Sequence, residues 1–436
     1  MRTPLPRFSF ALPTTVFVIL ASFQSAGLAE NSWPQWRGAD QNGVAVGDDF
    51  PISWSEEEGV AWMSESPGLG GSTPVVHRNT AFMTAGIDGK NYLLAYELGE
   101  GKLLWKTELG DDDGKKHAKG SGSNPSAVVD GDSVFAYFRS GDLACVDFDG
   151  KVRWQTNIQD EFGEDSLWWD LGSSPTLTDD AVVVVVMQTG PSYLVAYDRQ
   201  SGKRRWKSDR KVDAPNEAAQ SYTTPITVNV KGEEAIAIMG GDYLTLHRSK
   251  DGKELARLGG FNPTNHGFFR SISSPTAEGS IVVCPYARGD SLTAVDMDQL
   301  VDGKGKDAIV WFRDDLGSDV PTPVVHDGKV YLVSDGKRSR GTISGIDLQT
   351  GKTLWSLKLP KSRKSFSSSP LLAGDHLYVT REDSVTHVIG PLDARKPGVV
   401  AANELGDGEM TVASPVPLDG ALLLRSRGKL YRIAGK

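Results

Sequence analysis

Leu194-Val195-Ala196-Tyr197-Asp198-Arg199-Gln200-Ser201-Gly202-Lys203-Arg204-Arg205-Trp206 reads as an apolar strand, a polar turn closed by glycine, and a second strand that opens on cations and ends on tryptophan. The pattern returns at 93–105 and 343–355, and its second half, Gly-Lys-x-x-Trp, returns again at Gly150-Lys151 with Trp154. Elsewhere it is altered: Trp311 follows a longer turn, and Gly252-Lys253 is followed by Ala256 where tryptophan would stand. A tryptophan at one fixed place in each repeat suits the wedge between neighbouring sheets, where the indole buries its ring and its N–H finds a carbonyl. These tryptophans are expected to pack the fold, not to bind a ligand.

Working outward, Thr73-Pro74, Asn124-Pro125, Ser174-Pro175, Thr224-Pro225, Ser274-Pro275, Thr322-Pro323, Ser369-Pro370 and Ser414-Pro415 each open a short apolar run. Their prolines stand 51, 50, 50, 50, 48, 47 and 45 residues apart. Eight repeats with a period of about 40 to 50 residues match four-stranded propeller blades and not a helical solenoid. Within one repeat, residues 126–129, 133–138, 143–147 and 152–157 read as strands, and Asp130-Gly131-Asp132 and Asp149-Gly150-Lys151 supply tight turns. Helical periodicity is nearly absent. The spacing therefore predicts an all-β, eight-bladed β-propeller of four-stranded antiparallel blades. After Pro415 only three strands fit, so Val60-Ala61-Trp62-Met63-Ser64-Glu65 is expected to complete the last blade and remove its exposed edge. Residues 30–59 are expected along the ring, anchored by Trp33 and Trp36, ahead of a propeller spanning 60–436.

Composition narrows the function. The 436 residues are 24% charged and 39% hydrophobic with two cysteines, which excludes a disordered chain and a disulfide scaffold. A net charge of -9 argues against a nucleic-acid partner, which needs a Lys/Arg excess. Arg2 and Arg7 precede an apolar run from Phe8 to Phe23, followed by the small residues Ser25-Ala26-Gly27-Leu28-Ala29. This reads as a signal peptide, residues 1–29, cleaved after Ala29. The mature chain is expected to be periplasmic or secreted, without a transmembrane segment and monomeric.

These residues resemble a known family. The stretch 194–206 and its copies are similar to the quinoprotein repeat of pyrroloquinoline quinone (PQQ) dehydrogenases and of the propeller lipoprotein of the bacterial outer-membrane barrel-assembly machine. The opening Trp33-Pro34-Gln35-Trp36-Arg37-Gly38, with Asn42-Gly43, is similar to the start of exported quinoprotein-like propellers in bacteria. The resemblance implies the fold more strongly than the activity, because the repeated residues are those that pack blades. For a dehydrogenase it implies PQQ beside a disulfide of adjacent cysteines, and calcium held by Glu, Asn and Asp near a catalytic Asp. This chain departs from that pattern. It has only Cys145 and Cys284, three blades apart and beyond the ~7 Å reach of a disulfide, so both are expected as buried free thiols. No residues align with the calcium ligands, and Glu30 stands where the lipoprotein carries its lipidated cysteine.

In such blades the loops entering each first strand and those joining second to third strands emerge on one face, the top, which the resemblance implies is the ligand face. Candidate ligand-binding residues there are His117, Lys119, Trp169, Tyr222, His266, Arg270, Arg338, Lys364, Arg381 and Arg425. Basic residues gather in repeats six to eight, also including Lys337, Arg340, Lys361, Arg363 and Arg427, and acidic ones in the loops entering repeats two and three. Asp296-Met297-Asp298 with Asp302 to Asp307 misses calcium-loop spacing and reads as an inserted hairpin turn. No zinc spacing, phosphate loop or nucleophile elbow is present. Two functions are expected. The first is a non-catalytic binding or scaffold module of the cell envelope, with an envelope protein, a polymer or a small anionic ligand as partner. The alternative is a PQQ-dependent dehydrogenase oxidising an alcohol or sugar, with Asp170 or Asp319 as the base. The absent disulfide and calcium ligands favour the first.

Overall fold

The computed structural model describes Met1 and residues 32–112, 117–337, 339–406 and 408–435. The chain divides into two units, Met1–Glu30 and Asn31–Lys436. The expected signal peptide, Met1 apart, lies outside the described residues.

Eight antiparallel sheets make eight blades: residues 75–111, 128–157, 176–209, 226–258, 276–313, 324–358, 371–404 and, for blade 8, 416–434 with 60–65. Strand Val60–Glu65 pairs antiparallel with Lys429–Ala434, Met63 opposite Tyr431, so the N-terminal strand closes the ring as the sequence indicated. In all eight blades the ladder between third and fourth strands carries a bulge at the equivalent place, Ala196/Tyr197 in blade 3. A repeated bulge adds the same local twist to each outer strand.

The blades dock through tryptophan. Indole N–H groups of Trp62, Trp105, Trp154, Trp206 and Trp311 donate to Leu98, Phe148, Arg199, Ser249 and Leu348 of the following blade at 2.7 to 3.1 Å. Each ring lies against the glycine of the next blade's Gly-Lys turn. At Gly101 (φ +73°) and Gly202 (φ +67°) an added Cβ would stand 2.5 Å from the rings of Trp62 and Trp154. Only glycine takes that backbone conformation while letting the indole come so close. Ala256 breaks the series for a reason two blades share. The expected hairpin turn in blade 5 is instead a short helix, Met297–Val301, capped by the Asp296 side chain. Met297 and Leu300 of this helix join the cluster around Leu246 and Leu258 in blade 4, filling the wedge that tryptophan fills elsewhere.

A second device runs round the axis. The backbone N–H of Thr73 donates to Ser126 Oγ, Ser126 to Ser174, Ser174 to Thr224, Thr224 to Ser274, Ser274 to Thr322, Thr322 to Ser369, Ser369 to Ser414, and Ser414 back to Thr73 Oγ1. All eight bonds measure 2.9 to 3.1 Å. This explains the Ser/Thr before proline. In blade 2 the ring residue is Ser126, and Asn124, which stands before Pro125, serves another purpose described below.

The segment 32–59 does more than follow the ring. Ser32–Trp33 pairs with the inner strand of blade 1, and Val44–Ala45 runs parallel to the inner strand of blade 7. The residues between them cross the channel. Pro34 accepts from the Val129 N–H, Arg37 donates to the carbonyls of Pro323 and Pro370, and Gln41 bonds Thr176 and Thr227. The crossing segment therefore touches blades on every side and closes the channel from below. Trp54 stacks on Tyr378 at 6.5 Å as the chain leaves towards the outer edge of blade 8.

Candidate functional site

Above the N-terminal floor the channel opens into a cavity of about 890 Å³ at the top face. Trp36 lies at its base, and seven of the eight ring residues, all but Thr322, line its neck. Each ring hydroxyl accepts one N–H and donates to no acceptor among the described residues, so its own O–H is left for solvent or a ligand.

Of the residues named from the sequence, His117, Lys119, Trp169, Asp170, Tyr222, His266, Arg270 and Asp319 line this cavity. Lys364 is exposed on the rim, and Arg381 turns aside to hold Asp383 at 2.6 Å. Arg338 lies outside the described residues. Arg425 is not on the ligand face. It is 2% exposed, donates to the carbonyls of Ser72 and Thr84 at 2.9 and 2.8 Å, and ties blade 8 to blade 1. Burial lowers its guanidinium to about 10. It is the last residue of strand Ala421–Arg425, all five residues of which are buried, and its place in that strand outweighs its charge.

The charges of the wall are mostly spent on one another. Arg270 holds Asp319 with two bonds of 2.6 and 3.0 Å. Burial acts to lower the Arg270 guanidinium, but the Asp319 carboxylate outweighs it and leaves the group above its ordinary range. Lys119 reaches Glu382 at 2.5 Å. Burial works to raise the Glu382 carboxyl, and the bonds from Lys119 and Ser367 pull it below its ordinary value. Arg288 pairs with Glu217 at 2.9 Å, and Glu217 also takes the Trp169 indole N–H. The acidic loops entering blades 2 and 3 are likewise engaged: Asp165 with Arg139 and Glu161 with Arg204.

Two carboxylates stand apart. Asp170 Oδ2 accepts from the Gly122 N–H at 2.8 Å and the Asn124 amide at 2.7 Å, while Oδ1 has no hydrogen-bond partner. This is the work Asn124 does in place of a ring hydroxyl. Asp335, which no sequence motif singles out, is 7% exposed and accepts the N–H groups of Asp319 and Val320 at 2.7 and 3.1 Å. Burial first, and the Asp319 charge second, push its carboxyl up to about 7. Between the ordinary carboxyl range near 4 and about 7 the folded state holds a proton that the unfolded chain has lost, so stability falls as pH rises through that window. Thermal melts of wild type and Asp335→Asn from pH 4.5 to 8 are expected to show the variant gaining on wild type as pH rises. A difference independent of pH refutes this assignment.

The fit to PQQ and calcium can be tested on these residues. Cys145 and Cys284 are free, buried and outside the cavity wall, so no disulfide faces it. Among the described residues no group of three or more His, Cys, Asp or Glu is placed to hold a metal ion. Three of the wall's cations already serve internal acids. The residues present do not match the quinone and calcium site that the resemblance implies.

A family model described as outer membrane protein assembly factor BamB matches residues 29–209, 89–357 and 270–431. In structure the chain is similar to a europium-containing methanol dehydrogenase, with TM-score 0.70 and 11% identity over 93% of this chain and 98% of that one. It is also similar to quinohemoprotein alcohol dehydrogenase from Comamonas testosteroni, with TM-score 0.66 and 12% identity over 93% and 81% of the two chains. BamB from Moraxella catarrhalis aligns with TM-score 0.53 and 13% identity over 80% and 95%. At such identities these likenesses speak for the fold alone. No curated protein matches the chain in sequence. No helix among the described residues is long and apolar enough to cross a membrane.

Proposed function

The chain belongs to the PQQ-repeat propeller family of outer membrane protein assembly factor BamB, and from that premise we propose that it is an exported binding module of the cell envelope which holds its ligand in the top-face cavity without transforming it. One observation carries this reading: six charged groups at the site neutralise each other in fixed pairs, Arg270 with Asp319, Lys119 with Glu382 and Arg288 with Glu217. Groups locked in this way shape a site. They are poorly placed to exchange protons with a substrate, because each proton transfer would break a partly buried ion pair. In particular Asp319, one of the two bases the sequence offered, is held by both terminal nitrogens, Nη1 and Nη2, of Arg270.

A second reading, a quinone-dependent dehydrogenase, draws support from the enzyme-like size of the cavity and from Asp335 poised at about 7, a value suited to a general base. One titration separates the two. Purified mature protein is titrated with PQQ and calcium, following tryptophan fluorescence and melting temperature, and then given an alcohol with an artificial electron acceptor. The binding-module reading expects no turnover and no saturable response to the quinone. Saturable binding followed by turnover that Asp335→Asn or Asp170→Asn abolishes would establish the dehydrogenase instead.

A further inference from the structure

We infer that the ligand is an acidic polysaccharide, one charged sugar unit of which enters the cavity while the neighbouring units cross its basic rim. This rests on the binding-module reading above and adds the chemical class of the ligand.

The rim is asymmetric. On one corner Lys337 and Arg340 line the cavity, and Lys361, Arg363 and Lys364 stand exposed just outside it. No side chain of these five has a hydrogen-bond or ion-pair partner among the described residues, in contrast to the paired cations deeper in the wall. The two loops that carry them form one surface: the Leu359 N–H donates to Gly341 at 2.8 Å, and Lys358 Nζ donates to the Arg340 carbonyl at 2.6 Å. Nearby acids do not cancel them, because Asp383 is held by Arg381 and Glu382 by Lys119. Asp290 is the exposed acid of the wall, where Lys337 and Arg340 both stand exposed. On a chain with a net charge of -9, a local excess of unpaired cations attracts an anion to that corner.

Four blades round the ring the opposite wall is aromatic. Trp169 lines it, 37% exposed, and is fixed by its indole bond to Glu217 and by an edge contact with His117 at 5.3 Å. A fixed aromatic face suits the C–H face of a sugar ring, while the ring hydroxyls at the neck keep O–H groups to donate. A sugar hydroxyl accepts from such donors. A phosphate or a poly-glutamate chain would engage the cations and leave the aromatic wall unused. A uronic-acid chain meets both, its carboxylates the cations and its C–H face and hydroxyls the aromatic wall and the neck.

The test is calorimetric titration of the full mature protein with a short oligogalacturonate, an uncharged dextran fragment, poly-glutamate and polyphosphate, at low and high salt. Oligogalacturonate is expected to bind and to weaken at high salt, as an attraction between exposed charges does. It should weaken at least about tenfold both in Lys361→Glu/Arg363→Glu/Lys364→Glu and in Trp169→Ala. The three basic residues are exposed, so the melting temperature of their variant should move little; Trp169→Ala also loses its bond to Glu217, and circular dichroism checks its fold. Equal binding of poly-glutamate or polyphosphate, indifferent to Trp169→Ala, would overturn the polysaccharide while leaving a binding module in place. Dextran binding as tightly as oligogalacturonate would overturn the acidic requirement. No binding of oligogalacturonate overturns the inference, and turnover with PQQ would overturn the reading beneath it.

Discussion

Gly202→Val is expected to destabilise the propeller by about 2–5 kcal/mol, read as a shift of the denaturant midpoint. A β-branched residue at φ +67° is strained by roughly 1–2 kcal/mol. The new side chain would also begin 2.5 Å from the Trp154 ring, and forced overpacking adds about 1–3 kcal/mol. Trp154→Ala alone should cost about 3–5 kcal/mol through the lost ring and the lost bond to the Arg199 carbonyl at 2.9 Å. The two residues share one contact, so the double variant should be less destabilised than the sum of the singles, because removing the indole removes the clash. Strict additivity would mean that the ring and the glycine do not support each other. Gly131→Val is the matched control, since a Cβ there meets nothing within 4 Å and its φ is not in the left-handed region.

The second large effect concerns the N-terminal segment. A chain starting at residue 46 lacks the channel crossing but keeps Val60–Glu65, whereas one starting at residue 66 lacks both. The longer truncation is expected to collapse the soluble yield. It strips the outer strand from blade 8, exposes the edge of Lys429–Ala434, and removes Trp62 from Leu98 of blade 1. The shorter truncation should leave a folded ring of lower stability. The buried Arg37, Trp33 and Gln41 contacts go, and Thr227 loses the partner of its N–H. With its floor removed the cavity becomes an open channel, and ligand affinity in the top-face site should fall together with stability. If both truncations are equally soluble, closure of the ring does not depend on residues 60–65.

Most of this architecture could be read from the chain because it repeats. Each Gly-Lys turn meets a tryptophan of the preceding blade: Gly101 with Trp62, Gly150 with Trp105, Gly202 with Trp154, Gly252 with Trp206, Gly351 with Trp311. The exceptions are where repetition stops helping. Ala256 and the helix Met297–Val301 compensate one another across some 40 residues of sequence, and nothing local connects them. In blade 2 the proline is displaced from the ring hydroxyl, so spacing alone put Asn124 where Ser126 belongs. At the site, topology brought eight of the twelve named residues to one cavity. It misplaced Arg425, because charge suggested a surface where the strand is buried along its whole length, and it passed over Asp335, whose raised carboxyl comes from burial and from Asp319, neither visible in composition.

The circle of hydroxyl–amide bonds has one further consequence. Every link points the same way round the axis and every link has much the same length, so the circle contains no first or last member. Where the polypeptide starts is an accident of connectivity that the circle does not register. A circularly permuted gene, with the old ends joined by a flexible linker and new ends cut in the exposed turn at Gly131-Asp132, should build the same circle. The order in which blades are synthesised and the order in which they sit can then be varied separately.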